Sequence, residues 1–418
     1  MSNSTSVFLE KGRVATFVLF CLTAVQLVFQ QPSMIILPDQ RANLFSATLC
    51  LLTLVVTILI GRGKRPIKFG LDFWISVTLV LIVILSSIYS LVPRQSIERA
   101  YSILSPGLGG YWCAKFLLTE PRFTRIFQWV VNALLVGVIV LALAGLYLTG
   151  KPHEFLDSHW HPAGSRLLLL SFAPLSLMLG QNHRDQIIGW IIFVADLVTI
   201  YIVGRYALIN SLTYIPGILA VVGFFVFKWT GTSRRILAGI LLLTVFAAIC
   251  FAFLNPKQLN REHISVAYRV ESLFFSIDIA GKHPWLGNGL WAPRLSLLEN
   301  YTLYYPFLSK EQFTEWTADQ RTSENLYLTF LADLGIPFVI LYFGSLLYVL
   351  LRLISLSLNR ASNTVFHPVA IFLPLLGECL RFLVVDDLFY PQINWFFHML
   401  WGLVVIGSVK NNSDLSEK

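Results

Sequence analysis

Phe127–Leu148 reads FQWVVNALLVGVIVLALAGLYL, 22 consecutive residues without a charge. A run of that length spans a hydrocarbon core of about 30 Å as a helix. Similar apolar runs lie near 13–30, 44–61, 71–91, 101–118, 166–181, 187–204, 207–227, 236–254, 336–355, 367–385 and 393–409. None alternates apolar with polar residues as a barrel strand does, and backbone groups in lipid have to be satisfied within their own segment, so each run is expected to be a helix. Composition agrees: 56% of the 418 residues are hydrophobic and only 13% are charged, against about 25% charged in soluble domains. The expected fold is an all-α integral membrane protein with about twelve transmembrane helices.

The basic residues set an orientation. Lys11 and Arg13, then Arg62, Lys64, Arg65 and Lys68, Arg122 and Arg125, Arg184, Lys228 with Arg234 and Arg235, Arg352 and Arg360, and Lys410 and Lys418 fall on alternate connections. Those connections are expected in the cytoplasm, with both termini. The opposite short connections carry fewer: Arg41, Arg94, Arg99, Lys151 and Arg166. Parity then puts 255–322, the one long polar insertion between the ninth and tenth spans, on the periplasmic or extracellular side. The chain reads as a single membrane domain, 1–418, carrying that loop. Its net charge of +8 is spread over loop anchors rather than gathered on one face, which argues against nucleic acid. Cys21, Cys50, Cys113, Cys250 and Cys379 lie inside expected spans and are read as packing residues. The first run has the basic flank of a signal peptide but is long and has no convincing cleavage site, so it is expected to remain as the first helix.

Within the loop, Arg261–Ala280 fits a helix with Arg261, Ser265, Arg269, Ser272 and Ser276 on one side and Ile264, Ala267, Val270, Phe274 and Ile277 on the other, lying along the membrane surface. The turn Lys282-His283-Pro284-Trp285-Leu286-Gly287-Asn288-Gly289-Leu290 follows, its proline stopping the helix and its glycines permitting close ligand approach. Trp291, Tyr301, Tyr304, Tyr305, Phe307, Phe313 and Trp316 then crowd one stretch. Such rings suit stacking on sugars or anchoring in the headgroup belt. The loop ends on Thr322-Ser323-Glu324-Asn325-Leu326-Tyr327, where Ser323 or Thr322 can cap a helix with Glu324 in its first turn. Arg205 is the only Lys or Arg from Ile187 to Phe227, with Asp196 as a possible partner or the outer interface as its place. Glu378 and Arg381 have the spacing of a structural pair. Asp386 and Asp387, beside Tyr390, can neutralise Arg205, bind an acceptor or face water. His153, His159 and His161 contain no helical i,i+4 pair, so no metal site and no cofactor are expected.

Four of these blocks stand in the order found in a known family: Gly204-Arg205-Tyr206-Ala207-Leu208, Arg269 with Leu273, His283-Pro284-Trp285-Leu286-Gly287-Asn288-Gly289, and Glu324-Asn325-(nine residues)-Gly335. Over 187–340 the chain resembles the O-antigen ligase and polymerase superfamily, integral membrane glycosyltransferases with a GT-C-like bundle. The resemblance implies transfer of a glycan from an undecaprenyl-diphosphate carrier. Where the ligases have His-Asn-(nine residues)-Gly this chain has Glu324, a departure that leans toward the polymerases.

Such a reaction needs a base for the attacking sugar hydroxyl and positive charge on the departing diphosphate. Glu324 suits the first role. Arg205 and Arg269 suit the second, because a guanidinium stays charged and grips two oxygens. His283, Trp285, Gly287, Gly289, Trp291, Asn325, Tyr327, Asp386 and Asp387 are the candidate substrate-binding residues. The expected activity is a metal-independent, inverting polysaccharide polymerase acting on lipid-linked repeat units and the growing glycan acceptor, with membrane lipid, a chain-length regulator and a flippase as partners. Ligation of glycan to a lipid A core is the alternative enzyme. A lipid-linked oligosaccharide transporter is the alternative from another class, although no internal symmetry of halves is seen.

Overall fold

The computed structural model describes residues 2–30, 39–61, 70–153, 155, 160–204, 271–290, 309–311, 313, 325–358, 366–383 and 387–416. These residues form helices and no strand. In chain order they are α1 (Ser2–Val28), α2 (Asp39–Val56, continued by the π-turn Thr57–Gly61), α3 (Leu71–Ile88), α4 (Pro93–Leu117), α5 (Pro121–Thr149), α6 (Trp160–Leu170), α7 (Phe172–Met178), α8 (His183–Gly204), α9 (271–282), α10 (Leu326–Leu358), α11 (Pro368–Arg381), a 3-10 turn (Asp387–Phe389) and α12 (Pro391–Ser416).

The expected count of twelve spans is not reached among the described residues. Six helices are long and apolar enough to cross a bilayer: parts of α1, α2, α3, α5, α8 and α10. The runs near 207–227 and 236–254 lie outside the described residues. The run near 166–181 is broken at Ser171 into α6 and α7, because Pro174 has no N–H for the carbonyl of Leu170. The run near 101–118 belongs to α4, which carries Ser102, Ser105, Gly107, Gly109 and Gly110 and buries most of this half. Helix α4 faces protein rather than lipid, so it has no need of a continuous apolar surface. The run near 367–385 yields a helix of only 14 residues, α11.

Small residues let helices meet at backbone distance, the usual packing device where lipid offers no hydrophobic drive. A Cβ on Gly110 would lie 2.2 Å from the Trp395 carbonyl oxygen, and one on Gly402 would lie 2.5 Å from that of Tyr111, so α4 and α12 touch main chain to main chain. Trp395, fully buried, packs against Phe20, which in turn packs on Phe127. Several polar residues inside the bundle are tied together. Ser165 donates to Glu378 at 2.7 Å, Arg381 Nε lies 3.6 Å from the same carboxylate, and Arg166 donates to the Val28 carbonyl at 3.0 Å. Glu378 and Arg381 thus form the expected pair. Asp196 is fully buried and neither carboxylate oxygen has a hydrogen-bond partner among the described residues.

The two ends of the bundle differ. At one, the basic end, Arg13 pairs with Glu120, Lys115 with Asp72 and Arg125 with Asp185. The other carries α9 and the 283–290 turn, and is called the turn end below.

Candidate active site

Helix α10 is interrupted at Gly335, whose φ of 80° and ψ of 177° are not helical. The backbone groups released there account for the seat of the 283–290 turn. Pro337 has no N–H to return to the carbonyl of Asp333, and the N–H of Ile336 is turned away from the carbonyl of Ala332. Each orphan finds a partner, as buried backbone groups must. Asn288 N–H donates to Ala332 O at 2.9 Å, Gly289 N–H to Asp333 O at 3.0 Å, and Ile336 N–H to Pro284 O at 2.8 Å. Ser86 Oγ of α3 adds a second bond to Asp333 O at 2.8 Å.

So close an approach explains two glycines at once. A Cβ on Gly287 would stand 2.2 Å from the Asp333 carbonyl carbon, and one on Gly335 would stand 2.7 Å from the Trp285 carbonyl. Both have positive φ, as does Gly289, whose Cβ would meet Ser90 at 2.2 Å. Ser96 Oγ lies 2.8 Å from the Leu290 carbonyl and from Ser90 Oγ, which fixes the turn to the start of α4. The Gly-x-Gly turn and Gly335, ten residues past Asn325, are therefore the two halves of one clasp. Its exposed side chains are His283 and Trp285, the latter 75% exposed.

The start of α10 is held by a second set of bonds. Asn325 Oδ1 accepts from Leu328 N–H at 3.1 Å, capping the helix, while its amide donates to Leu383 O at 2.8 Å. Leu326 N–H donates to Phe382 O at 2.9 Å and Tyr327 Oη to Cys379 O at 2.8 Å. Asn325 and Tyr327 thereby fasten the beginning of α10 to the end of α11. From Asn325 to Asp333 is eight residues, about 12 Å of helix.

Below the clasp opens a groove of about 890 Å³ between α3, α4, α10 and α12. It begins at Trp285, Leu290 and Ile336 and ends at Asp72 and Arg352. Leu334 to Arg352 is eighteen residues, about 27 Å of helix, so the groove has nearly the height of a bilayer core. Its walls are mostly apolar; near the middle Tyr342 Oη meets His398 Nε2 at 3.0 Å and Asn394 also lines the wall, while Asp72, Ser76, Tyr111 and Arg352 line the far end.

Of the candidates read from sequence, the structure brings His283, Trp285, Gly287 and Gly289 together at the clasp, and sets Asn325 and Tyr327 at the head of the same helix. Arg205, Arg269, Glu324, Trp291 and Asp386 lie outside the described residues. Asp387 begins the 3-10 turn, and its side chain lies outside the described residues too. In α9 the two sides that the sequence separates remain apart: Ser272 and Ser276 are buried together with Phe275 and Ile279, whereas Leu273, Phe274 and Ile277 are exposed. Glu271, on that buried side and fully enclosed, was not singled out from sequence, nor were Ser86, Ser96 and His398. Serines and a lone histidine within apolar runs were the available signals.

Residues 193–343 match the family model described as O-antigen ligase. That match, over about a third of the chain and with the clasp inside it, supports the resemblance to the O-antigen ligase and polymerase superfamily. No curated protein matches the chain significantly. An O-antigen ligase-family domain on a bundle with six apolar helices indicates a multi-pass membrane protein and an enzyme of glycosyl transfer.

Proposed function

We propose that the protein is a polysaccharide polymerase that joins undecaprenyl-diphosphate-linked oligosaccharide units at the outer face of a bacterial inner membrane. The observation that carries the lipid-linked part is the apolar groove opening directly under the clasp, with the exposed Trp285 at its mouth and one wall, the first half of α10, inside the region that matches the ligase family. A long hydrocarbon carrier fits such a groove, its diphosphate and sugars emerging at the turn end. By the distribution of basic residues that end faces the periplasm and both termini the cytoplasm.

In the proposed reaction an acceptor hydroxyl oxygen bonds to the anomeric carbon while the bond from that carbon to the diphosphate oxygen breaks, with inversion. The electron pair leaves with the diphosphate, held by Arg205 and Arg269, and the hydroxyl proton passes to Glu324. Glu324 precedes Asn325, whose capping and tether to α11 give the acid a fixed neighbour. His283, Trp285, Trp291 and the Asp386–Asp387 pair are assigned to sugar contacts. The name of the matched family favours a second reading, transfer of finished glycan to a lipid A core. A deletion strain separates the two: loss of long chains with single units left on the carrier means polymerase, and full-length polymer stranded on the carrier means ligase. Purified enzyme tests the residues. Glu324→Gln is expected to lose roughly 10²-fold or more in rate, and Arg269→Lys to be strongly impaired because it loses the two-pronged grip. Full activity of both variants, or abolition of wild-type activity by a chelator, sinks this mechanism.

A further inference from the structure

The groove's basic end has a chemistry that a carrier tail does not use. Asp72 lines the groove there, and its carboxylate is taken up by Lys115, whose Nζ also lies 4.5 Å from the centre of the Trp112 ring, and by Tyr111 Oη at 2.9 Å. Arg352, one wall further round, makes no ion pair among the described residues, and its Nε is buried without a hydrogen-bond partner. The sequence just ahead of α3 adds Arg62, Lys64, Arg65 and Lys68. A half-buried guanidinium beside hydrocarbon calls for an anion, since leaving the charge uncompensated near lipid is costly.

The dimensions point to what carries that anion. From Arg352 to Tyr342 is ten residues, about 15 Å of helix, or one leaflet of a core of about 30 Å. At that level the Tyr342–His398 pair and Asn394 interrupt the apolar wall. These polar groups mark the mid-height of one continuous groove, whose upper half opens at the clasp and whose lower half ends on a cation. We infer that the basic-end half is a binding site for an anionic phospholipid of the facing leaflet, its phosphate on Arg352 and its acyl chains along α3, α10 and α12. A polyprenyl tail is neutral at this depth and a zwitterionic lipid brings its own cation, so neither compensates Arg352.

Native mass spectrometry of the full chain, exchanged from detergent into mixed phosphatidylglycerol and phosphatidylcholine, tests the site without reference to glycosyl transfer. Wild type is expected to retain phosphatidylglycerol over phosphatidylcholine by roughly fivefold, the equivalent of about 1 kcal/mol for one arginine–phosphate contact. Arg352→Lys should keep most of that preference and Arg352→Gln should lose it. Equal retention of the two lipids by wild type, or an unchanged preference in Arg352→Gln, overturns the inference. Inorganic phosphate is the remaining probe: if it displaces bound phosphatidylglycerol at millimolar concentration, the site is one for free anions and the lipid assignment fails. Should Arg352→Gln not fold, Arg352→Met is measured in its place and is read by the same two outcomes.

Discussion

Gly287→Ala is the sharpest test of the clasp, because a second glycine supplies its control. Gly287 has a φ of 65° and its Cβ would sit 2.2 Å from the Asp333 carbonyl carbon. Gly150, at the αL end of α5, has a nearly equal φ of 73° but nothing within 4 Å of its Cβ. Alanine at either position meets the left-handed backbone cost, roughly 1–2 kcal/mol. At Gly287 it must also push the turn off α10, and three backbone bonds lie in the way: Asn288 N–Ala332 O, Gly289 N–Asp333 O and Ile336 N–Pro284 O. At about 1 kcal/mol each, their loss brings the total for Gly287→Ala to roughly 4–5 kcal/mol, against roughly 1–2 kcal/mol for Gly150→Ala. Thermal unfolding of both variants in one detergent, with polymer length assayed in cells, reads the difference. The expected result is a Gly287→Ala protein that inserts but melts well below Gly150→Ala and makes no long polymer. If the two variants melt together and both support normal chains, the close approach of turn and helix is not a feature of the working protein.

Two further outcomes follow from the ends of α10 and from the loop charges. Asn325→Ala removes both the cap on Leu328 and the tether to Leu383 and is expected to cost roughly 1–2 kcal/mol in unfolding. Asn325→Asp keeps the cap acceptor and should recover about half of that in the same melt, so an Asp variant as unstable as the Ala variant would remove the cap from the account. For orientation, single cysteines at 300 and at 232 in a thiol-free variant are expected to differ toward an impermeant thiol reagent, with only the first labelled in spheroplasts; labelling of 232 alone would reverse the membrane sides.

How much of this was legible in the sequence depends on which interactions are local. Spans such as Phe127–Leu148 declare themselves, since burial in hydrocarbon is nearly additive along a run and needs no knowledge of neighbours. Helix α4 is harder to read: its Gly107, Gly109 and Gly110 register as low hydropathy, and only their neighbours show why they are small, a Cβ lying 2.9 Å from Asn394 Oδ1 at 107, 3.1 Å from the Cys50 carbonyl at 109 and 2.2 Å from the Trp395 carbonyl at 110. The glycines at 287, 289 and 335 were visible as motif positions, and those at 287 and 289 suggested room for a ligand. Their reason is a pairing between segments 40 and more residues apart, set by the carbonyl that Pro337 leaves free.

Helix α9 keeps the two sides that its sequence separates, and the bundle offers lipid to one and protein to the other. Leu273, Phe274 and Ile277 are therefore turned out and Glu271, Ser272 and Ser276 turned in, the arrangement that leaves no unpaired polar group in hydrocarbon. The same solvent argument sets what counts as a site in this molecule. A charge that faces protein, such as Arg381, finds a carboxylate 3.6 Å away. One that faces an open apolar groove, as Arg352 does, has to take its counter-charge from the membrane itself.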